Sequence, residues 1–181
     1  MSKAIDKLKP GTRFLRYRLS SCVGRGAFGS VWSANEEGSD ENIAIKFEFP
    51  HVSVSILETE SEILRDIQGS DYFPIYFNHG TSQGLHYLCL ELLGMSVRQF
   101  QENHTQGIVP LGSVGRLGIQ MVRCLEAFHE ACYVHRDIKP LQLCIQKITI
   151  RLQHLLHRLR SDKTVEDSRR RTNSRKTECR V

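Results

Sequence analysis

A chain of 181 residues that is 40% hydrophobic and 25% charged has the make-up of an ordinary globular protein, long enough to bury one core. It contains no apolar run that would span a bilayer. Its opening Met1-Ser2-Lys3-Ala4-Ile5-Asp6-Lys7 lacks the apolar centre of a signal peptide, so no transmembrane segment is expected and the expected location is cytoplasm or nucleus. The net charge of +5 is uneven: residues 1–145 hold 14 Lys/Arg against 16 Asp/Glu (−2), and residues 146–181 hold 11 against 4 (+7). The six cysteines show no Cys-x-x-Cys spacing, and reduced thiols are the expected state.

Phe14 to Val23 starts as an alternating strand, with Leu15, Tyr17 and Leu19 on one face and Arg16, Arg18 and Ser20 on the other. It leads into Gly24-Arg25-Gly26-Ala27-Phe28-Gly29-Ser30-Val31, where the glycines let the backbone fold tightly and aim N–H groups at an anion. Dinucleotide-binding folds share this glycine spacing, but a helix follows it there. Here Val31-Trp32-Ser33-Ala34 and the turn residues Asn35 to Glu41 read as a second strand and a hairpin loop. In the next strand, Asn42 to Phe49, period two puts Ala44 and Lys46 on one face and Ile43, Ile45 and Phe47 on the other. A Lys beside a small apolar residue under a glycine loop suits a base and its phosphates; an exposed edge-strand Lys is the plain alternative.

Ser53 to Gln68 reads as a helix with Leu57, Ile63, Leu64 and Ile67 as its apolar positions, closed by Gly69. It carries Glu58, Glu60 and Glu62 as candidate partners for Lys46. Tyr72 to His79 and Leu85 to Leu90 read as two further strands. After them Glu91-Leu92-Leu93-Gly94 leaves the sheet, an extended segment whose backbone groups would face a planar heterocycle. Ser113 to His129 is an amphipathic helix with Val114, Leu117, Met121, Leu125 and Phe128 at helical spacing. It delivers the chain to His135-Arg136-Asp137-Ile138-Lys139-Pro140, which in isolation is equally a surface turn.

Taken together, these ordered motifs resemble the protein kinase family. Gly24 to Val31, Thr59-Glu60-Ser61-Glu62-Ile63, Glu91-Leu92-Leu93-Gly94 and His135 to Pro140 look like the casein kinase 1 and tau-tubulin kinase group, over roughly residues 12–145. The resemblance implies an α+β fold, a small lobe of five antiparallel strands and one helix (1–93) joined to an incomplete helical second lobe (94–145). It implies ATP and Mg²⁺ as cofactors and a Ser/Thr protein substrate whose identity is open. ATP would be held by Val23, Gly24, Gly26, Gly29, Val31 and Ala44, by Lys46 paired with Glu60, by the gatekeeper Leu90, and by the hinge residues Glu91 and Leu93. Asp137 would be the catalytic base and Lys139 the phosphate contact.

The sequence also departs from that pattern. Gln142 stands where the family has a magnesium-ligating Asn, its longer stem displacing the oxygen by about 1.5 Å from where coordination at ~2.1 Å requires it. Cys144 takes the place of an apolar residue beneath the adenine. No Gly follows Gly118 and no Phe follows Phe128, so the magnesium-holding Asp-Phe-Gly is absent and the kinase pattern is truncated after the catalytic loop. Poor phosphoryl transfer is therefore expected, with a catalytically silent nucleotide- or partner-binding pseudokinase as the alternative. In residues 146–181, Ile148, Leu152, Leu155, Leu156 and Leu159 share one face of a helix largely filled out by Arg151, His154, His157, Arg158 and Arg160. That basic helix suits an acidic membrane surface or a partner groove, or simply covers apolar surface. From Ser161 on, Arg169-Arg170-Arg171 and Arg175-Lys176 lie in a polar, expectedly disordered tail suited to acidic partners or nucleic acid.

Overall fold

The computed structural model describes residues 7–26, 28–38, 41–49, 55–103, 107–146 and 149–152. Strands β1 (Arg13–Phe14), β2 (Tyr17–Arg25), β3 (Gly29–Glu36), β4 (Asn42–Glu48), β5 (Tyr76–Ser82) and β6 (Leu85–Glu91) form one antiparallel sheet in the order β1-β2-β3-β4-β6-β5. The sheet thus has one strand more than the expected five. The addition is a two-residue edge created by a turn at Leu15, whose φ of +54° reverses the chain. That turn removes Leu15 from the expected inward face: Leu15 is exposed, and Phe14, opposite Tyr17, is fully buried in its place. Bulges after Leu19 and Cys22 end the alternation of β2 as it approaches the glycine loop.

The two faces of the sheet sort the residues of β4 as its period requires. Ile43, Ile45 and Phe47 enter a cluster with Phe14, Tyr17, Leu19 and Tyr87, in which Phe14 meets Phe47 and Tyr87 edge-on at 4.8 and 5.2 Å. Ala44, with Leu88 and Leu90 of β6, enters a second cluster beneath helix α1 (Ile56–Asp66). Leu57, Ile63, Leu64 and Ile67 are all buried there, each worth about 1.5–3 kcal/mol as an upper bound. The helix starts later than its hydrophobic pattern because Ser55 caps it, accepting from the Glu58 N–H at 3.2 Å. Buried Glu48, at the end of β4, completes the cap by accepting from Ser55 Oγ at 2.9 Å and the Ile56 N–H at 2.6 Å. Gly69, at φ +93°, provides the expected exit.

β5 begins at Tyr76 rather than Tyr72, because Pro74 has no N–H to give a ladder. The Gln68 side chain serves the backbone there instead, donating to the Pro74 carbonyl and accepting from the Tyr76 N–H. Beyond the sheet lie α2 (Val97–Glu102), opened by a Ser96/Gln99 capping box, and α3 (Leu111–Glu130). Phe128 and Cys124 of α3 are fully buried against the α1 cluster, and Leu117 and Met121 are half-buried there. Val114, expected on that face, is exposed, as are Leu111, Ile119 and Val122.

The chain then forms a hairpin, β7 (Leu143–Gln146) with β8 (Thr149–Leu152), in the register Cys144↔Arg151. This overturns the reading of 148–159 as one helix for Thr149–Leu152: the β-branched run Ile148-Thr149-Ile150 disfavours helix, and β7 offers a partner strand. A boundary at residue 145 therefore falls inside the hairpin. The rest of the proposed basic helix and the tail lie outside the described residues. Cys22, Cys89, Cys124 and Cys144 are free thiols as expected, whereas Cys132 is disulfide-bonded. Among the described residues no helix is long and apolar enough to cross a membrane.

Candidate active site

The sheet, α1, the segment after β6 and the loop after α3 enclose a cleft of about 420 Å³. It is lined by every site residue singled out in the sequence: Val23, Gly24, Gly26, Gly29, Val31, Ala44, Lys46, Glu60, Leu90, Glu91, Leu93, Asp137, Lys139 and Gln142. Cys144 is not among them. It is 1% exposed, and burial pushes its thiol up to about 12.

The glycine loop is closed by the Gly26 N–H donating to the Gly29 carbonyl at 2.9 Å, and Phe28 is bound through its carbonyl to the Phe49 N–H at 2.8 Å. Its glycines answer to different demands. A Cβ on Gly24 or Gly26 would meet nothing within 4 Å, so the space beside them is open. A Cβ on Gly29 would sit 1.9 Å from the Phe47 carbonyl oxygen, so the β3–β4 pairing itself requires this glycine. Gly29→Ala is accordingly expected to cost about 2 kcal/mol or more by overpacking, read as a lower thermal midpoint, whereas Gly26→Ala changes stability by less than about 1 kcal/mol.

Lys46 Nζ meets Glu60 Oε1 at 2.5 Å, both side chains almost completely buried at 5% and 2% exposure. Packing selects Glu60 from the three candidates: it lies on the buried face of α1 with Leu57, Ile63 and Leu64, while Glu58 and Glu62 are exposed. Leu90 pairs with Ala44 across the sheet and is 2% exposed. After Glu91 the backbone leaves the sheet, as expected of a hinge. The Glu91 carboxylate accepts from the Ile75 N–H at 3.1 Å and from the Arg151 guanidinium. Arg151, expected on the basic side of an amphipathic helix, instead clips the β7–β8 hairpin to the hinge. Sequence reasoning missed this pair and the Glu48 cap.

The catalytic-loop residues are held from both sides. Fully buried Phe128 packs against Phe73, Tyr133 and the buried His135, with ring centroids 5.8, 5.7 and 6.1 Å apart. Tyr133 Oη donates to Asp66 Oδ2 at 2.6 Å, tying the loop to the end of α1. Arg136, at φ +63°, turns the chain between His135 and Asp137, and the Asp137 N–H donates to His135 Nδ1 at 3.3 Å. Lys139 Nζ and Gln142 Nε2 donate to the same Asp137 oxygen, Oδ2, at 2.8 and 3.0 Å. Those two hydrogen bonds, the Lys139 one foremost, hold the Asp137 carboxyl below the usual carboxylate range. Asp137 is therefore ionised at neutral pH, in the state a general base requires. The same donors lower its affinity for a proton.

A curled antiparallel sheet bearing one helix, a buried Lys–Glu pair beneath a glycine loop, and an Asp–Lys pair across the cleft define the architecture of a protein kinase small lobe with the start of its second lobe. The family model for the protein kinase domain matches residues 17–154, and the chain belongs to that family. The match runs through the β7–β8 hairpin, so kinase-like sequence continues past residue 145. A probable serine/threonine-protein kinase of Dictyostelium discoideum is 32% identical over 130 residues, covering 72% of this chain and 26% of the relative. A putative casein kinase I of Caenorhabditis elegans is 26% identical over 155 residues, covering 83% of the chain and 45% of the relative. A probable casein kinase I homologue of Encephalitozoon cuniculi is 28% identical over 126 residues, covering 68% and 39%. The chain thus resembles casein kinase I-like Ser/Thr kinases and spans less than half the length of each of these relatives.

Family membership implies ATP and magnesium. The shape and lining of the cleft suit an adenine nucleotide, with Ala44, Val31 and Leu90 as apolar walls and Lys46 and Lys139 as cations. The residues do not suit a resident magnesium ion. Mg²⁺ is usually held by one or two carboxylates together with substrate phosphates and waters, and among the described residues no three His, Cys, Asp or Glu groups converge. Each acidic side chain lining the cleft already has partners: Glu60 has Lys46, Asp137 has Lys139 and Gln142, Glu91 has Arg151, and Glu48 has the start of α1. Gln142 Oε1 is buried without a hydrogen-bond partner, a lone neutral oxygen rather than a cage.

Proposed function

We propose that this chain binds ATP in the cleft as the nucleotide-binding core of a casein kinase I-like Ser/Thr kinase, and that these 181 residues transfer phosphate to protein hydroxyls poorly or not at all. The observation that carries the binding half is the Lys46–Glu60 pair under the glycine loop, buried and in direct contact beside the cleft. In this reading Val31 and Ala44 cover the adenine, the backbone at Glu91 and Leu93 meets its edge, and Lys46 holds the α/β-phosphates. Asp137 would accept the hydroxyl proton and Lys139 would face the transferred phosphoryl. A location in cytoplasm or nucleus, and contact of the basic tail with acidic partners, belong to the same proposal.

The second reading, a catalytically silent nucleotide-binding module, is favoured by Gln142 and by the prior pairing of each acidic side chain that lines the cleft among the described residues. Charge stabilisation dominates phosphoryl transfer, and losing one such element costs about 10²–10³ in rate. The expected result is ATP-dependent thermal stabilisation with transfer to an acidic or pre-phosphorylated peptide at least about a hundredfold below the ~1–100 s⁻¹ of typical kinases. Transfer at typical rates that disappears in Asp137→Asn would establish the full enzyme and sink the silent reading. Absence of any thermal response to ATP would sink the binding proposal itself.

A further inference from the structure

The chemistry around Asp137 goes beyond a weakened active site. Two donors hold one oxygen of its carboxylate, Lys139 Nζ at 2.8 Å and Gln142 Nε2 at 3.0 Å, both on Oδ2. A divalent cation at that oxygen would meet an ammonium and an amide N–H₂, both repelling it. The amide orientation follows from the charge of Asp137: turned over, Gln142 would set its own oxygen against the ionised carboxylate. The remaining carbonyl oxygen, Gln142 Oε1, is buried with no donor and no second carboxylate converging on it among the described residues. On the opposite wall Glu60 is committed to Lys46 at 2.5 Å, with only 2% of its side chain exposed.

We propose that the cleft binds its adenine nucleotide without help from a divalent cation. Lys46 and Lys139, each already paired with a carboxylate, turn their ammonium groups to the polyphosphate by sharing or exchanging those partners, and Gln142 bars the metal by donating to Asp137. The proposal rests on the nucleotide-binding reading above and adds the ionic form in which the ligand is taken. An enzyme that grips its nucleotide through coordinated magnesium binds more tightly when the metal is present. Here magnesium leaves the affinity unchanged, or weakens it by withdrawing free ATP into the metal complex.

The test is calorimetric titration of the full chain with ATP, once in excess magnesium and once in EDTA. The expected dissociation constant in magnesium is equal to or weaker than that in EDTA. A gain of more than about threefold with magnesium, roughly 0.65 kcal/mol, overturns the proposal while leaving nucleotide binding intact. No binding under either condition overturns both, so the two failures are distinguishable. Thermal melts in magnesium alone supply the second arm. Wild-type protein is expected to be unmoved, and Gln142→Glu, which keeps the shape but sets a second carboxylate beside Asp137, is expected to gain several degrees from the metal. A wild-type melt raised by magnesium, or a Gln142→Glu melt indifferent to it, removes Gln142 from the role given to it here.

Discussion

Lys46→Ala is expected to abolish the stabilisation by ATP and to lower folding stability by about 3–5 kcal/mol. The stability loss comes from breaking a buried ion pair whose Glu60 side chain is only 2% exposed. Domain stabilities run to about 5–15 kcal/mol, so the loss removes a large part of the total. At about 2–4 °C per kcal/mol for a protein of this size, the melt moves down by roughly 6–20 °C. Loss of ligand response follows separately, because Lys46 lines the cleft on the same face as Ala44. Lys46→Met combined with Glu60→Leu separates the two effects. An apolar pair of similar volume restores stability, as removal of whole buried ion pairs commonly does, but does not restore the response to ATP. Thermal melts with and without ATP on all three proteins provide the measurement. A Lys46→Ala protein still stabilised by ATP to the wild-type extent would place the nucleotide elsewhere.

Phe128→Ala is the second large effect, expected to cost about 3–5 kcal/mol. Phe128 is 0% exposed and belongs to α3, yet its ring touches Phe73 beyond α1 and Tyr133 and His135 ahead of Asp137. Truncation opens a cavity between the helix of the small lobe and the loop that carries Asp137 and Lys139. Urea unfolding should therefore show a lower midpoint. Amide exchange at Asp137 should rise more than at Ile45 in the centre of the sheet, which Phe128 does not touch. Phe128→Leu fills most of the space and is expected to cost about 1.5 kcal/mol or less. A loss below about 1 kcal/mol for Phe128→Ala would show that the described part of the second lobe is not packed onto the first.

Part of the cleft was legible in the sequence because it obeys local rules, and the rest was named through the resemblance to protein kinases. Glycine spacing, the period of β4 and the length of the loop around Asp137 each place a side chain relative to its own neighbours. The three glutamates of α1 mark the limit of such rules. Helical spacing distinguishes Glu60 from Glu58 and Glu62 only once the face carrying Leu57, Ile63 and Leu64 is known to be the one packed against β4 and β6. Leu15 was misplaced for a related reason: alternation was extended through a two-residue reversal that only the pairing of Phe14 with Tyr17 reveals. Thr149–Leu152 departs from the helical spacing of the five apolar residues around it because its pairing with Leu143–Gln146 is a contact that the spacing does not encode.

The order of strand, glycine loop, strand, helix and hinge was determined by the sequence alone, since each depends on residues a few positions apart. The set of residues proposed to meet a nucleotide came instead from the resemblance to protein kinases. Which carboxylate Lys46 meets, that Glu48 caps α1, and that Arg151 reaches Glu91 across 60 residues were decided by the tertiary structure. A buried charge takes whichever partner the fold brings within reach. That choice is set by the burial of faces remote in the chain, and no local pattern encodes it.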